Sequence, residues 1–446
     1  MELPKVLILN QPFVSNTGGG ITLSNLFKGW DKEKLAVACS GYIMTPEIDP
    51  TICNNYYQLG SEERSWSFPF NIFGRKYSSG PINFKENTKS KVVTDESKSK
   101  TRVGFVMKYL NPFLSYTGLT HSVSKTKISS QFISWVNEFN PDVIYIQCSS
   151  RESILFCNEV QNYFKKPTAF HMMDDWPSVI SNKGFFKNYW ASKIDKEFKT
   201  LLSAVDTPMA ICDYMAQEYK TRYGKDFITF HNPININFWA TGQKKDYTLQ
   251  DNPTIMYAGR IGLGIDKSLQ SIAKAVEIVN FKLNISLNFI IQAQKSPEWI
   301  SNYDFVNYQS FVTYEELPKV FGKTDFLILP YDFSPKSIAY IKYSMPTKAS
   351  EYMTSGGPIL IFAPEETALA QYAKNLQWAT VVTENDKDLL ANTIIDLIKN
   401  KEKREKIANN AKELASARHD DQVVTKDFRT ALIQTAKKQY KPYLNE

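Results

Sequence analysis

The chain has 446 residues, of which 43% are hydrophobic and 22% charged, with a formal charge of +7. At about 150 residues per domain this predicts two or three domains, and it excludes disordered, collagen-like and coiled-coil chains. The mild basic excess is too weak for nucleic acid, but it suits an anionic small substrate or membrane surface.

In chain order, the first candidate strand is 5–9. Gly18, Gly19 and Gly20 follow at the start of a helical run over 21–30. They remove side chains where a strand hands over to a helix, so backbone N–H groups can approach an anion. The plainer reading is a flexible loop. The spacing is not that of a dinucleotide fingerprint. The segment 60–127 departs from the strand–helix alternation. Its middle, 85–102, is rich in Lys, Ser and Thr and predicts a mobile loop. Its end, 103–119, mixes Phe, Met, Tyr and Leu with few charges. A core helix is preferred there over an acceptor-side or membrane-facing patch.

Further strands are predicted at 142–146, 167–170 and 210–212. His171, Met172, Met173, Asp174, Asp175, Trp176 and Pro177 come directly after the second of these. A histidine and two carboxylates at a strand's C-terminal end suit acceptor chemistry, with His171 binding a hydroxyl or moving a proton. A structural histidine and a helix-capping aspartate are the plainer readings. The Asn- and Pro-rich stretch 231–253 reads as a linker.

The pattern then restarts with strands at 254–258, 287–291, 325–329 and 358–362. Continuous apolar runs between amphipathic helices predict parallel strands buried on both faces, in a doubly wound α/β arrangement. Arg260 and Lys267 lie just past 254–258, where such sheets bind ligands, and together suit a diphosphate. The plainer reading is two solvated cations. Around 344–358, Ser344 is predicted to cap a helix, Pro346 to sit in its first turn and Gly356 to end it. Glu351 lies one turn past Thr347 and on the same face, placed to accept bonds from ribose hydroxyls. Asp386 and Asp388 open a helix striped with Leu390, Ile394 and Leu397, so they read as a cap and not as a metal site. No serine sits in a nucleophile elbow. The helical run 421–440 is predicted to stop at Pro442.

Five Cys without a C-x-x-C pair and four His without i, i+4 spacing predict reduced thiols and no zinc site. No secretory leader and no run of about 18 apolar residues is present, so a cytoplasmic protein is expected.

Taken together, these motifs resemble the retaining family 4 group of GT-B glycosyltransferases. The Gly-rich first loop, Gly259-Arg260 with Lys267, and Glu351-Tyr352-Met353-Thr354-Ser355-Gly356-Gly357-Pro358 carry the resemblance. His231 to Asn235 resembles the family's interdomain "PNGID" segment, and Met173 to Pro177 its "HDxWP" segment. The resemblance implies two Rossmann-like doubly wound domains facing a central cleft. Residues 1–234 would bind the acceptor, 235–420 the nucleotide sugar, and 421–446 would form a helix crossing back to the first domain.

It also implies metal-independent, retaining, hexosyltransferase-like transfer in cell-surface polysaccharide synthesis. The donor would be a UDP- or GDP-sugar and the acceptor a glycan or lipid-linked glycan, with no cofactor, no nucleic acid and peripheral contact with the cytoplasmic membrane face. Arg260 and Lys267 would bind the diphosphate, and together with a helix dipole they would offset the charge of the leaving group. His171 and Asp174 complete the implied catalytic set. Gly18, Gly19 and Gly20 would lie near the phosphate or sugar, and Phe311 and Val312 beside the base. Tyr343, Ser344, Thr347, Lys348 and Glu351 would line the donor site, with Glu351 on the ribose.

The sequence departs from the family in three places. Tyr343 stands where the family often has a first Glu. The usual His aligns with Met173, two residues after His171. The Arg260–Lys267 spacing is long. A sugar-nucleotide epimerase and a non-catalytic nucleotide-sugar-binding protein are the alternatives.

Overall fold

The computed structural model describes residues 2–14, 17–41, 44, 48–72, 76–83, 106–180, 184–262 and 264–438. The loop predicted at 85–102 and the stop at Pro442 lie outside them. The chain divides into two units. The first comprises 1–210, 216–229 and 425–446, and the second 211–215 and 230–424.

The first unit is built on an eight-stranded sheet. In chain order its strands are β1 (Val6–Leu9), β2 (Leu35–Ser40), β3 (Asn55–Leu59), β5 (Gly80–Asn83), β7 (Val143–Ile146), β8 (Thr168–Met172), β9 (Thr207–Ala210) and β10 (Ile228–Thr229). Their spatial order is β10-β9-β8-β7-β1-β2-β3-β5, parallel except for β5 against β3. A separate two-stranded ribbon pairs β4 (Arg64–Trp66) with β6 (Ser124–Thr126). Every residue of β1, β2, β7 and β8 is buried, as expected for parallel strands covered on both faces. The helix Asp421–Ala436 contributes Phe428, whose ring packs 5.1 Å from Phe27 and 5.9 Å from Tyr145.

The second unit is a fully parallel six-stranded sheet. It contains β11 (Thr254–Ala258), β12 (Asn288–Gln292), β13 (Val306–Gln309), β14 (Phe326–Pro330), β15 (Ile359–Phe362) and β16 (Thr380–Val382). The spatial order β13-β12-β11-β14-β15-β16 is the doubly wound order, with its reversal between β11 and β14. The helices Asp266–Leu283 and Lys387–Lys399 cover one face, and Leu269, Ile272 and Val276 meet Leu390 and Ile394 in one core.

Several expectations need correcting. The strand placed at 210–212 is β9, Thr207–Ala210. The stretch read as a linker is packed structure. Trp239, in the helix Ile236–Ala240, is fully buried with its ring 5.5 Å from Phe321, and Arg404 donates to the Tyr247 carbonyl at 2.7 Å. Residues 103–105 lie outside the described residues, and over 106–119 the preferred core helix is not found. Of the helix Asn111–Thr117 only Leu114 is buried, while Phe113 and Tyr116 are exposed. Among the described residues, no helix is long and apolar enough to cross a membrane.

Candidate functional site

In the second unit the chain reverses direction across the sheet between β11 and β14. The loops leaving the C-terminal ends of these two strands therefore diverge and leave a crevice. Arg260 stands two residues past β11, exposed, on a loop whose backbone is pinned: the Tyr257 hydroxyl donates to the Arg260 carbonyl at 2.6 Å. The Asp332 N–H, just past β14, donates to the Gly264 carbonyl at 2.7 Å, and Asp332 Oδ1 in turn accepts from the Ser268 N–H at 2.8 Å. Burial pushes the Asp332 carboxyl above its usual pKa, against the opposing pull of the Ser268 bonds. These bonds tie the two strand ends to the first turn of the helix Asp266–Leu283. Lys267 is exposed there beside a cavity of about 190 Å³ lined also by Ser268, Ser271, Phe333, Ser334 and Asn385.

The helix Thr347–Ser355 is joined to the same strand end, because the Ala258 N–H donates to the buried Tyr352 hydroxyl oxygen at 2.8 Å. Glu351 is 9% exposed, and its Oε2 accepts from Lys348 Nζ at 2.6 Å. No side chain caps this helix. Its N-cap is Pro346 in extended backbone, and Ser344 donates its N–H to the Ile341 carbonyl. The cap predicted for Ser344 is therefore not formed, because Pro346 sets the helix start two residues later. The C-terminal end falls at Gly356, whose φ of 75° is the left-handed conformation expected there.

Tyr343 is buried, stacked 5.6 Å from Tyr214, with Lys342 Nζ 5.1 Å from its ring. Phe311 and Val312 follow the edge strand β13. Phe311 is exposed and Val312 half-buried. The structure thus brings Arg260, Lys267 and the Thr347–Glu351 segment onto elements bonded to one another. It leaves Phe311 and Val312 past the sheet edge.

In the first unit the strand order reverses between β1 and β7. Gly18, Gly19 and Gly20 form the first turn of the helix Gly18–Leu26 beyond β1, capped by Thr17, whose side chain accepts from the Gly20 N–H. A Cβ on Gly20 would fall 2.3 Å from Val14 Cγ2, whereas one on Gly18 would meet nothing within 4 Å. Gly20 is needed for packing, and Gly18 faces open space.

His171 is the fourth residue of β8 and not part of the loop beyond it. It is 1% exposed, and its Nδ1 shares a 2.7 Å hydrogen bond with the Tyr145 hydroxyl. Burial lowers its pKa to about 3, so the ring stays neutral at physiological pH and the expected proton shuttle is not supported. Asp174 is exposed. Asp175 is buried and accepts from the Tyr219 hydroxyl at 2.6 Å and from Arg222 through both oxygens, at 2.9 and 3.1 Å. Of the two carboxylates, Asp175 serves the fold and Asp174 faces solvent.

Sequence reasoning missed Asp332, Ser334 and Tyr352. The first two follow β14 directly, so the strand-end rule applied to 326–330 would have found them. Nothing local marks the phenol. The Asp386 carboxylate caps its helix, accepting from the Asp388 and Leu389 N–H groups at 2.7 and 3.1 Å. Among the described residues, no group of three or more His, Cys, Asp or Glu is placed to hold a metal ion.

Residues 242–414 match the model for glycosyl transferases group 1. The matched stretch lies within the second unit. No curated protein matches the sequence. Solved structures resemble the chain over nearly its whole length at low identity. Anabaena HepE in complex with UDP-glucose has 12% identity and a TM-score of 0.55, covering 97% of this chain and 100% of its own. A glycosyltransferase from Rickettsia africae has 11% identity and a TM-score of 0.60, covering 97% and 99%. The sucrose-phosphate synthase of Thermosynechococcus elongatus has 11% identity and a TM-score of 0.57, covering 96% and 98%. The likeness shows the fold, two Rossmann-like α/β units of the GT-B type.

Proposed function

We propose that the protein is a glycosyltransferase that takes a sugar from a nucleotide-sugar donor, with the donor held by the second unit. The observation that carries this reading is the hydrogen bond between Ala258 and Tyr352. It registers a helix start bearing Thr347, Lys348 and Glu351 against the strand end that carries Arg260. Uncapped N–H groups, a guanidinium and the Lys267 ammonium suit a diphosphate, and the largely buried Glu351 carboxylate suits ribose hydroxyls. The group 1 match in this unit and the UDP-glucose bound by HepE support the same reading. UDP is therefore the nucleotide proposed first, with GDP second.

The transfer is proposed to retain configuration and to need no metal. The bond from the anomeric carbon to the diphosphate breaks while the acceptor oxygen approaches on the same face. The leaving phosphate oxygen takes the acceptor's proton, and Arg260 and Lys267 offset the charge left on the diphosphate. The acceptor is proposed to be a glycan or lipid-linked glycan held by the first unit, with Gly18, Gly19 and Asp174 facing it, in cell-surface polysaccharide synthesis.

Thermal unfolding and calorimetry with UDP, GDP and their sugars test the reading. A ligand at about 100 times its Kd raises stability by about 2.7 kcal/mol. Arg260→Ala is expected to abolish that rise without lowering the ligand-free melting temperature, and Glu351→Ala, which also removes the partner of Lys348, to weaken nucleotide binding more than it lowers stability. Unchanged melting with every nucleotide overturns the proposal. The anomer formed, read by NMR with and without EDTA, tests retention and metal independence.

A further inference from the structure

The first unit carries large aromatic side chains that no core explains. The turn Val106–Leu110 runs into the helix Asn111–Thr117, and Tyr109, Phe113 and Tyr116 recur along it at i, i+4, i+7. All three are more than half exposed: 57%, 57% and 66%. A second segment continues the surface, with Phe185 at 75%, Phe186 at 50% and Tyr189 at 56%. The two segments are bonded together, because the Phe185 N–H donates to the Tyr116 carbonyl at 2.8 Å.

The surface has a rigid floor. Trp190 is buried, with the Arg151 guanidinium 5.2 Å from its ring. Arg151 is itself held by both oxygens of Glu197 and by the His121 carbonyl. The exposed rings are therefore displayed on a fixed support. Single exposed apolar residues need no explanation, but two groups of three large exposed rings, on segments bonded to each other, mark a docking surface.

The charge pattern says what docks. Residues 106–123 and 184–194 contain no Asp or Glu, but they carry Lys108, Lys187 and Lys193. Lys108 Nζ lies 5.4 Å from the Tyr109 ring, and Lys193 Nζ 5.7 Å from that of Tyr189, so these cations sit among the aromatics. Phe and Tyr rings bury readily at the level of lipid headgroups, and each nearby Lys adds attraction to an anionic surface that salt screens. A symmetric pairing of two copies through this face would instead bring each lysine set against its own equivalent.

We propose that this aromatic, cationic face docks on a bilayer surface containing anionic lipid. The inference does not depend on sugar transfer, since it concerns a different surface and is read without activity.

The test is sedimentation of the full chain with phosphatidylcholine vesicles, with and without about one third phosphatidylglycerol. The wild-type protein is expected to sediment with the anionic vesicles, and less so at high salt. Phe113→Ser with Phe185→Ser is expected to lower partitioning at least about tenfold, at unchanged melting temperature. Lys108→Glu with Lys187→Glu is expected to remove the preference for anionic vesicles. Tyr116→Ser with Tyr189→Ser is a second aromatic pair, so misfolding of one pair does not remove the test. Three results overturn the proposal: wild-type protein left in the supernatant, correctly folded aromatic variants that sediment like wild type, or a vesicle-free dimer that the same variants dissociate.

Discussion

The hydroxyl of Tyr352 accepts the backbone N–H of Ala258 at 2.8 Å, with both residues buried. The bond has a topological cause. β11 pairs with β14 only at Ile255 and Met256, although β14 continues to Pro330, so the two strands part beyond Met256 and the Ala258 N–H has no ladder partner on the β14 side. A side chain from the helix Thr347–Ser355 takes that place. Tyr352→Phe leaves the N–H buried and unsatisfied, at an expected cost of about 1–3 kcal/mol in urea unfolding. Nucleotide affinity should fall as well, since the helix start loses its registration to Arg260.

Gly18 and Gly20 should separate packing from ligand approach. Gly20→Ala forces a Cβ to 2.5 Å from the Val14 carbonyl oxygen and should destabilise by about 2 kcal/mol or more. Gly18→Ala meets open space and should leave stability within about 0.5 kcal/mol. If the first turn of Gly18–Leu26 approaches a substrate, Gly18→Ala still lowers turnover. Urea melts beside a transferase assay distinguish the two effects.

Asp174 and Asp175 should behave oppositely despite adjacency. Asp175→Asn breaks a buried pair with Arg222 and should cost about 3 kcal/mol, read as a lower urea midpoint. Asp174→Asn, at an exposed position, should cost less than about 1 kcal/mol, so any loss of turnover reports on function.

His171 and His419 make stability acid-sensitive. Burial is the main cause that lowers each folded pKa from 6.5 to about 3, and at His419 the nearby His231 adds to it. The unfolded chain then binds protons that the folded chain refuses. The contribution is fully present above pH 6.5 and is lost as pH falls toward 3, at about 1.4 kcal/mol per pH unit for each histidine. His171→Gln should flatten the fall by about one proton, measured as urea stability between about pH 6 and 4.5. An unchanged slope would mean that His171 is not buried neutral.

Parts of this molecule were readable early. Val6–Leu9 and Phe326–Pro330 carry apolar residues on both strand faces, which only a covered parallel sheet satisfies. β2 escaped because Ala36, Ala38, Cys39 and Ser40 are small and dilute the apolar signal, although every residue of the strand is buried. Trp239 was misread with its linker, since Asn and Pro around it describe local turns and not what its ring packs against. At the site, Arg260, Lys267 and Glu351 were visible as residue types beyond strand ends. Tyr352 was not, because its partner Ala258 lies 94 positions earlier.

The sequence alone determined the doubly wound α/β class and the ends of elements such as the helix closing at Gly356. Those follow from periodicity and from the backbone preferences of single residues. The tertiary structure decided which neighbours in a motif serve the fold and which face solvent. Asp175 is buried because Arg222 arrives from 47 positions away, His171 is neutral because Tyr145 and β8 enclose it, and Asp174 lies outside. It also decided that the rings of Tyr109, Phe113 and Tyr116 stay outside the core. Burial depends on partners distant in the chain, and a local pattern carries no record of them.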